Sequence, residues 1–227
     1  MGSRGEREFV KFPRMGATIY DRMMRSKATS RQITEIAEFL ASQIDTGRLL
    51  DVGTGPGRLL KEIHRINPSI ELFGLDISAA MVDQATKNLQ GIDASLHISP
   101  IQESVFEEDF FDVVTCTGSF YLWDEPEKGL NEIRRILKHG KTAYLFESYS
   151  DYDEELLQTR MKENLESESF FRKRLMPRFL MRQLEMTYSR DEVAKVLSMS
   201  IFADDYQIHE IELANLRVWL RIELYKP

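Results

Sequence analysis

From Thr29 to Glu147 short apolar runs alternate with amphipathic stretches, and this alternation constrains the fold more than any other feature of the chain. Ser30 reads as the cap of a helix in which Ile33, Ile36, Ala37, Leu40 and Ile44 fall at helical spacing. Leu49-Leu50-Asp51-Val52 reads as a first strand ending in a glycine-rich turn. Leu59, Leu60, Ile63 and Ile66 give the next helix one apolar face, and Asn67-Pro68 stops it. Ile70 to Leu75 is a second strand. Ser78 then caps a helix carrying Met81, Val82, Ala85 and Leu89, closed by Gly91. Ala94 to Ile98 and Asp112 to Thr117 are the third and fourth strands. Pro126 opens a helix that buries Leu130, Ile133, Ile136 and Leu137 and ends at Gly140, and Thr142 to Phe146 is the fifth strand. Strands alternating with helices of about 10–15 residues predict a parallel sheet covered on both faces. The strands are short and continuously apolar, as strands buried on both sides are.

After Tyr149 the pattern changes. Residues 151–186 are charged and Met-rich, with helical spacing at Leu156, Leu157 and Met161 and again at Phe170, Phe171 and Leu175. Pro177 is expected to break this stretch in two. Ser189 caps a helix with Val193, Val196 and Leu197. Tyr206 to Leu213 and Leu216 to Leu224 read as strands joined at Ala214-Asn215, and a turn that short makes them antiparallel. The expected architecture is one α/β domain over residues 1–227, with a mostly parallel sheet, helices on both faces and an antiparallel C-terminal hairpin.

Composition removes several function classes. The 227 residues carry a formal charge of −7, which argues against nucleic acid and anionic membranes as partners. No apolar run approaches the roughly 18 residues of a membrane span. Met1 to Glu8 precede no apolar run, so a signal peptide is not expected and a cytoplasmic location is. The one cysteine, Cys116, excludes a disulfide framework and a cysteine-based zinc site, and no metal is expected. Cys116 reads as a small buried apolar residue.

The chemistry-bearing segment is Asp51-Val52-Gly53-Thr54-Gly55-Pro56-Gly57-Arg58, a strand, a glycine turn and a helix start in succession. Glycines let a ligand approach the main chain closely, and the helix amides beyond suit an anionic group. Asp76 follows about 20 residues later at the end of the second strand, the spacing at which an acid reaches ribose hydroxyls. Adjacent parallel strands set the turn and Asp76 side by side at the carboxyl edge of the sheet, where open α/β sheets bind ligands. The plainer alternative is a loop acid at 51 and a helix cap at 76.

In combination these residues resemble the class I S-adenosylmethionine-dependent methyltransferases. Asp51 to Gly57 looks like that family's first motif, Leu75-Asp76-Ile77-Ser78 with Met81 like its second, and Phe111-Asp112-Val113-Val114 like the start of its fourth strand. Leu130 to Lys138 resembles the helix before its fifth strand. The likeness covers about residues 30–148 and, more loosely, the hairpin. It implies a Rossmann-like sheet and S-adenosylmethionine as cofactor. It also implies that Asp51, Gly53 and Thr54 face the amino-acid end of the cofactor, while Gly55 and Gly57 allow close approach. Asp76 would take the ribose hydroxyls, Ile77 the adenine ring with Met81 nearby, and Thr117 the methionyl part. Where the family often has an Asp after the third strand this chain has Pro100, so the Ile101 amide and Gln102 are expected to hold adenine. Dinucleotide dehydrogenases prefer a third glycine one position later than Gly57.

Methyl transfer from a sulfonium is an in-line displacement in which positioning supplies much of the rate. The acceptor site is expected over the ends of strands four and five, under a lid made by residues 1–29 and 151–186. Tyr121, Glu147 and Tyr20 are the candidate catalytic residues, with Trp123 and Tyr149 beside them. Aromatic faces attract cations, and Glu147 could take a proton. The opposite reading packs the aromatics into the loop and leaves Glu147 solvated. Arg172-Lys173-Arg174, Arg178 and Arg182 read either as a solvated face or as recognition of an anionic acceptor. Met176, Phe179, Leu180, Met181, Leu184 and Met186 read as core, with an acceptor pocket or a homodimer surface as alternatives. The expected function is methyl transfer to a small molecule. The alternatives are a protein or RNA methyltransferase and a non-catalytic cofactor-binding protein.

Overall fold

Leu49 and Leu50 are both fully buried although they face opposite sides of one strand, and so are Val113 and Val114. Such strands need helices on both faces, and the computed structural model, which describes residues 14–227, has them. The reading of Met1 to Glu8 lies outside the described residues. Strands β1 (Gly47–Val52), β2 (Ile70–Asp76), β3 (Ala94–Ile98), β4 (Val113–Thr117) and β5 (Lys141–Ser148) run parallel. Strands β6 (Tyr206–Leu213) and β7 (Leu216–Lys226) complete one sheet in the order β3-β2-β1-β4-β5-β7-β6, with β7 antiparallel to both neighbours. Ala214 and Asn215 join them with φ of 50° and 64°. The strand order reverses between β1 and β4, so a crevice opens at the carboxyl end of β1.

Helices α2 (Lys27–Ser42), α3 (Arg58–Ile66) and α4 (Ala79–Asn88) cover one face through Ile36, Leu40, Leu60, Ile63 and Ala85. Helices α5 (Pro126–Ile136) and α8 (Arg190–Ser198) cover the other through Leu130, Ile133, Val193 and Leu197. Each of these buried leucine, isoleucine and valine side chains contributes roughly 1.5–3 kcal/mol. Ser189 and Glu192 form a reciprocal capping box at the start of α8. Helix α1 (Arg14–Met23) and the pair α6 (Glu154–Leu165) and α7 (Phe170–Met186) lie outside these two layers. Leu157 of α6 and Leu184 of α7 bury against Leu216 and Val218 of β7, which fastens the pair to the sheet.

Two expectations fail for identifiable reasons. The cap of α2 is Ser26 rather than Ser30. The Ser26 hydroxyl accepts from the Thr29 amide at 3.1 Å, and Ser30 lies one turn inside, its amide donating to the Ser26 carbonyl. The extra turn is stabilised from a distance, since the Lys27 amide donates to the Glu168 carboxylate at 2.6 Å. Pro177 does not divide the 151–186 stretch. It sits inside a continuous α7, and the break falls at 166–169, where the Ser169 side chain caps the helix. One missing amide is tolerated in a 17-residue helix held by that cap and by Leu184.

The glycine turn separates two kinds of constraint. At Gly57, φ is +73°, and an added Cβ would meet the Ala85 Cβ and the Leu89 side chain at 3.0 Å. At Gly55, φ is +53°, and a Cβ would meet nothing within 4 Å. Gly57→Ala is therefore expected to cost roughly 2–4 kcal/mol of unfolding free energy, and Gly55→Ala about 1–2 kcal/mol, in urea denaturation.

Candidate functional site

The turn after β1 is anchored to β2 by main-chain bonds. The Gly53 and Thr54 amides donate to the Leu75 carbonyl at 2.7 and 3.0 Å. Asp76 extends the link, its carboxylate accepting from the Gly55 amide and from the Ser78 amide at the start of α4, both at 2.8 Å. Ser78 holds the cap position of α4 without a side-chain bond, and its carbonyl accepts from the Met81 amide. Burial raises the Asp76 carboxyl above its ordinary range, while the Ser78 and Gly55 amides pull against that shift. Asp51, 2% exposed, is pushed up to about 7 by burial, with Thr54 lowering it and the charge of Asp76 raising it further.

A cavity of about 200 Å³ opens above this edge. Asp51, Gly53, Gly55 and Thr117 line its floor, and Met161, Met176, Phe179 and Leu180 of α6 and α7 line its roof. Tyr20 of α1 closes a side, its ring 6.1 Å from that of Phe179 in an edge contact. Burial and the nearby Asp76 charge push the Tyr20 phenol up to about 12, against the pull of Arg58. Arg58 itself donates to the Met24 carbonyl and, at 3.3 Å, to the Ser30 hydroxyl. Roof and wall are tied by Glu168, between α6 and α7. Besides the Lys27 amide, it binds Arg172 at 2.9 Å, and Arg172 also reaches the Arg22 carbonyl at 3.1 Å.

Of the residues singled out from sequence, Tyr20, Asp51, Gly53, Thr54, Gly55 and Thr117 line this one cavity. Gly57, Asp76, Ile77 and Met81 surround its glycine side without lining it. Gly57 starts α3, Met81 is buried in α4 and Ile77 is 45% exposed. Ile101 is buried in a 3-10 turn (Ile101–Glu103), where the Gln102 side chain donates to the Glu125 carbonyl at 3.3 Å. Tyr121, Trp123 and Tyr149 belong to the core.

Glu147 lies beneath the segment that follows β4. One carboxylate oxygen accepts from the Ser119 and Phe120 amides at 2.9 and 2.8 Å, and the other is buried without a partner. The residue is 2% exposed, so the solvated alternative does not hold. Burial pushes its carboxyl up to about 8, against the opposing pull of the Phe120 and Ser119 amides. Of the basic cluster, Arg172 is bound to Glu168, while Lys173, Arg174, Arg178 and Arg182 are exposed. Among the described residues no group of three or more His, Cys, Asp or Glu is placed to hold a metal ion.

Sequence reasoning missed Glu168, Ser148 and Trp219. Nothing local marks Glu168, since its partner is a main-chain amide 141 residues away. Ser148 ends β5 and pairs in register with Trp219 of β7, so both follow from strand-end position once the hairpin is docked.

Residues 50–145 match a family model described as "Methyltransferase domain". An uncharacterized methyltransferase, YdaC, of Bacillus subtilis is 28% identical over 95 residues, 42% of this chain and 52% of that protein. A ubiquinone/menaquinone biosynthesis C-methyltransferase of Geobacter sulfurreducens is 34% identical over 106 residues, 44% of this chain and 41% of that protein. The chain thus spans about half the length or less of these two curated relatives. The plantazolicin methyltransferase BpumL, solved with a desmethylPZN analog and SAH, shares the fold with a TM-score of 0.69 at 17% identity, covering 93% of this chain and 90% of that one.

Glu147 gives a pH test. Its folded carboxyl titrates near 8 and its unfolded one near 4.5, so the folded chain keeps a proton that the unfolded chain releases between these values. Its contribution to stability is complete below about 4.5 and is lost as pH rises through 8. Gln mimics the protonated acid, so Glu147→Gln is expected to match the parent in thermal melts at pH 5. At pH 9 it should exceed the parent by on the order of a few kcal/mol.

Proposed function

We propose that this chain, whose residues 50–145 belong to the class I S-adenosylmethionine-dependent methyltransferase family, transfers the methyl group of S-adenosylmethionine to a small molecule held beneath α6 and α7. The observation that carries the proposal is a single cavity that runs from Asp51 and the glycine turn to the apolar roof. Donor and acceptor would therefore share one continuous cleft.

The residues on the glycine side fit the cofactor. Burial raises the Asp51 carboxyl to about 7, and an ammonium group beside it would favour the ionised form. Space above Gly55 admits a ligand against the main chain. In this reading Asp51, Gly53 and Thr54 hold the amino-acid end, and Thr117, whose hydroxyl is buried without a partner, offers a further polar contact there. Asp76 retains lone pairs for ribose hydroxyls, and exposed Ile77 presents an apolar surface for adenine, with Ile101 and Gln102 at its far side. When bound, the cofactor supplies a methyl group on a positively charged sulfur. The chain's own work is alignment and exclusion of water. The α6–α7 pair, with α1 and the start of α2, acts as the lid.

Tyr20 keeps its proton at neutral pH, so its part is to donate a hydrogen bond or to place its ring, and it does not serve as a base. Glu147 and Tyr121 act as positioning residues, Glu147 through the Ser119 and Phe120 amides. Enclosure under α6 and α7 favours a small acceptor over a protein or RNA chain. No helix among the described residues is long and apolar enough to cross a membrane.

Calorimetric titration with S-adenosylmethionine and S-adenosylhomocysteine tests the proposal. Binding is expected for both, and no heat from either at millimolar concentration overturns the reading. Because an ionised Asp51 is needed, affinity should be about tenfold weaker at pH 6 than at pH 8. Asp51→Asn should flatten that dependence and cost about 10- to 100-fold in affinity at pH 8.

A further inference from the structure

We infer that the acceptor end of the cavity is built for an uncharged, mostly apolar molecule carrying a hydrogen-bond-accepting oxygen, and that Ser148 and Trp219 receive that oxygen. The inference rests on the methyltransferase reading, whose acceptor class it specifies.

Buried polar atoms are nearly always paired, because leaving one without a partner in a dry site is costly. Here the Ser148 hydroxyl and the Trp219 indole nitrogen are both buried without a hydrogen-bond partner, and both residues line the cavity. They are not scattered. Ser148 and Trp219 are directly opposed in the β5–β7 ladder, so their side chains share one face of the sheet. Two unpaired groups side by side in one cavity describe a subsite.

The chemistry of the two groups narrows the ligand. An indole N–H only donates, so its partner has to be an acceptor, and an ammonium group would find no acceptor at Trp219. The serine hydroxyl can donate to the same oxygen. A carboxylate or phosphate is disfavoured by the acid already in the cavity and by where the nearby arginines point. Arg58 bonds the Met24 carbonyl, and Arg172 bonds Glu168 and the Arg22 carbonyl. A buried anion would share the cavity with the Asp51 carboxyl, and the one arginine lining it, Arg58, is turned toward the Met24 carbonyl and the Ser30 hydroxyl. The roof supplied by Met161, Met176, Phe179 and Leu180 adds an apolar, adaptable surface for the rest of the molecule.

The test uses the full chain labelled with 15N, titrated with 1-tetralone, tetralin and 1-naphthoate, both with and without S-adenosylhomocysteine. These probes share a bicyclic frame and differ in a carbonyl oxygen, its absence, or a negative charge. 1-Tetralone is expected to bind about tenfold more tightly than tetralin, and 1-naphthoate no more tightly than tetralin. The indole N–H signal of Trp219, identified by its loss in Trp219→Phe, should move with 1-tetralone while that of Trp123 stays. Ser148→Ala and Trp219→Phe should each reduce the preference for 1-tetralone over tetralin by about 3- to 10-fold. Equal binding of 1-tetralone and tetralin, tighter binding of 1-naphthoate, a stationary Trp219 signal, or no binding of any probe overturns the inference. S-adenosylhomocysteine binding without a tetralone preference overturns this subsite and leaves the methyltransferase reading standing. A tetralone preference without S-adenosylhomocysteine binding does the reverse.

Discussion

The Asp76 carboxylate is the joint on which the site depends. With one oxygen it holds the Gly55 amide and with the other the Ser78 amide, so the glycine turn, the end of β2 and the start of α4 move as one piece. The parallel pairing of Val52 with Leu75 brings these parts within reach, and the main-chain bonds from Gly53 and Thr54 to Leu75 fix their height. The arrangement carries an electrostatic cost. Asp51, buried on the cavity floor, and Asp76, half-buried beside it, are two neighbouring carboxyls, and each is raised above its ordinary range mainly by burial. A positive charge placed beside Asp51 would lower that carboxyl and ease its repulsion with Asp76.

Much of the framework was legible because its cause is local and periodic. Leu49-Leu50 and Val113-Val114 announce strands buried on both sides, and the short Ala214-Asn215 link dictates an antiparallel hairpin. The glycine turn and Asp76 were legible as a pair because their spacing follows from one βαβ unit. The misreadings arise where a distant partner decides a local question. Ser26 begins α2 because Glu168 satisfies the Lys27 amide, and no pattern near residue 27 shows that. Pro177 lies within α7 because a cap at one end and the buried Leu184 near the other outweigh one lost bond. Glu147 read as a candidate proton acceptor with a solvated acid as the alternative, and its enclosure beneath a loop whose amides it binds depends on contacts no local pattern shows. Ser148 was a neighbour without evident chemistry until Trp219 came to lie opposite it.

The two halves of the cavity differ in kind. The glycine side is polar and rigid, made of main-chain amides and carboxylates on the ends of parallel strands. The roof side is made of methionines, a phenylalanine and leucines on helices that touch the sheet through a small apolar cluster. A rigid floor holds a ligand in one pose, and an apolar roof of flexible side chains adjusts to the shape it covers. The matched family segment ends at residue 145, before α6 and α7 begin, so the roof of the cavity lies outside that segment.

The tie between Glu168 and Lys27 has a consequence for how this chain can drift over generations. Its acceptor is a side chain, but its donor is the peptide backbone. Residue 27 can therefore change to almost anything and still hold the roof to the wall. Proline alone, having no amide hydrogen, would cut the tie from that side. The burden of inheritance falls on one acid, and a survey of descendants should find position 168 guarded and position 27 free to wander.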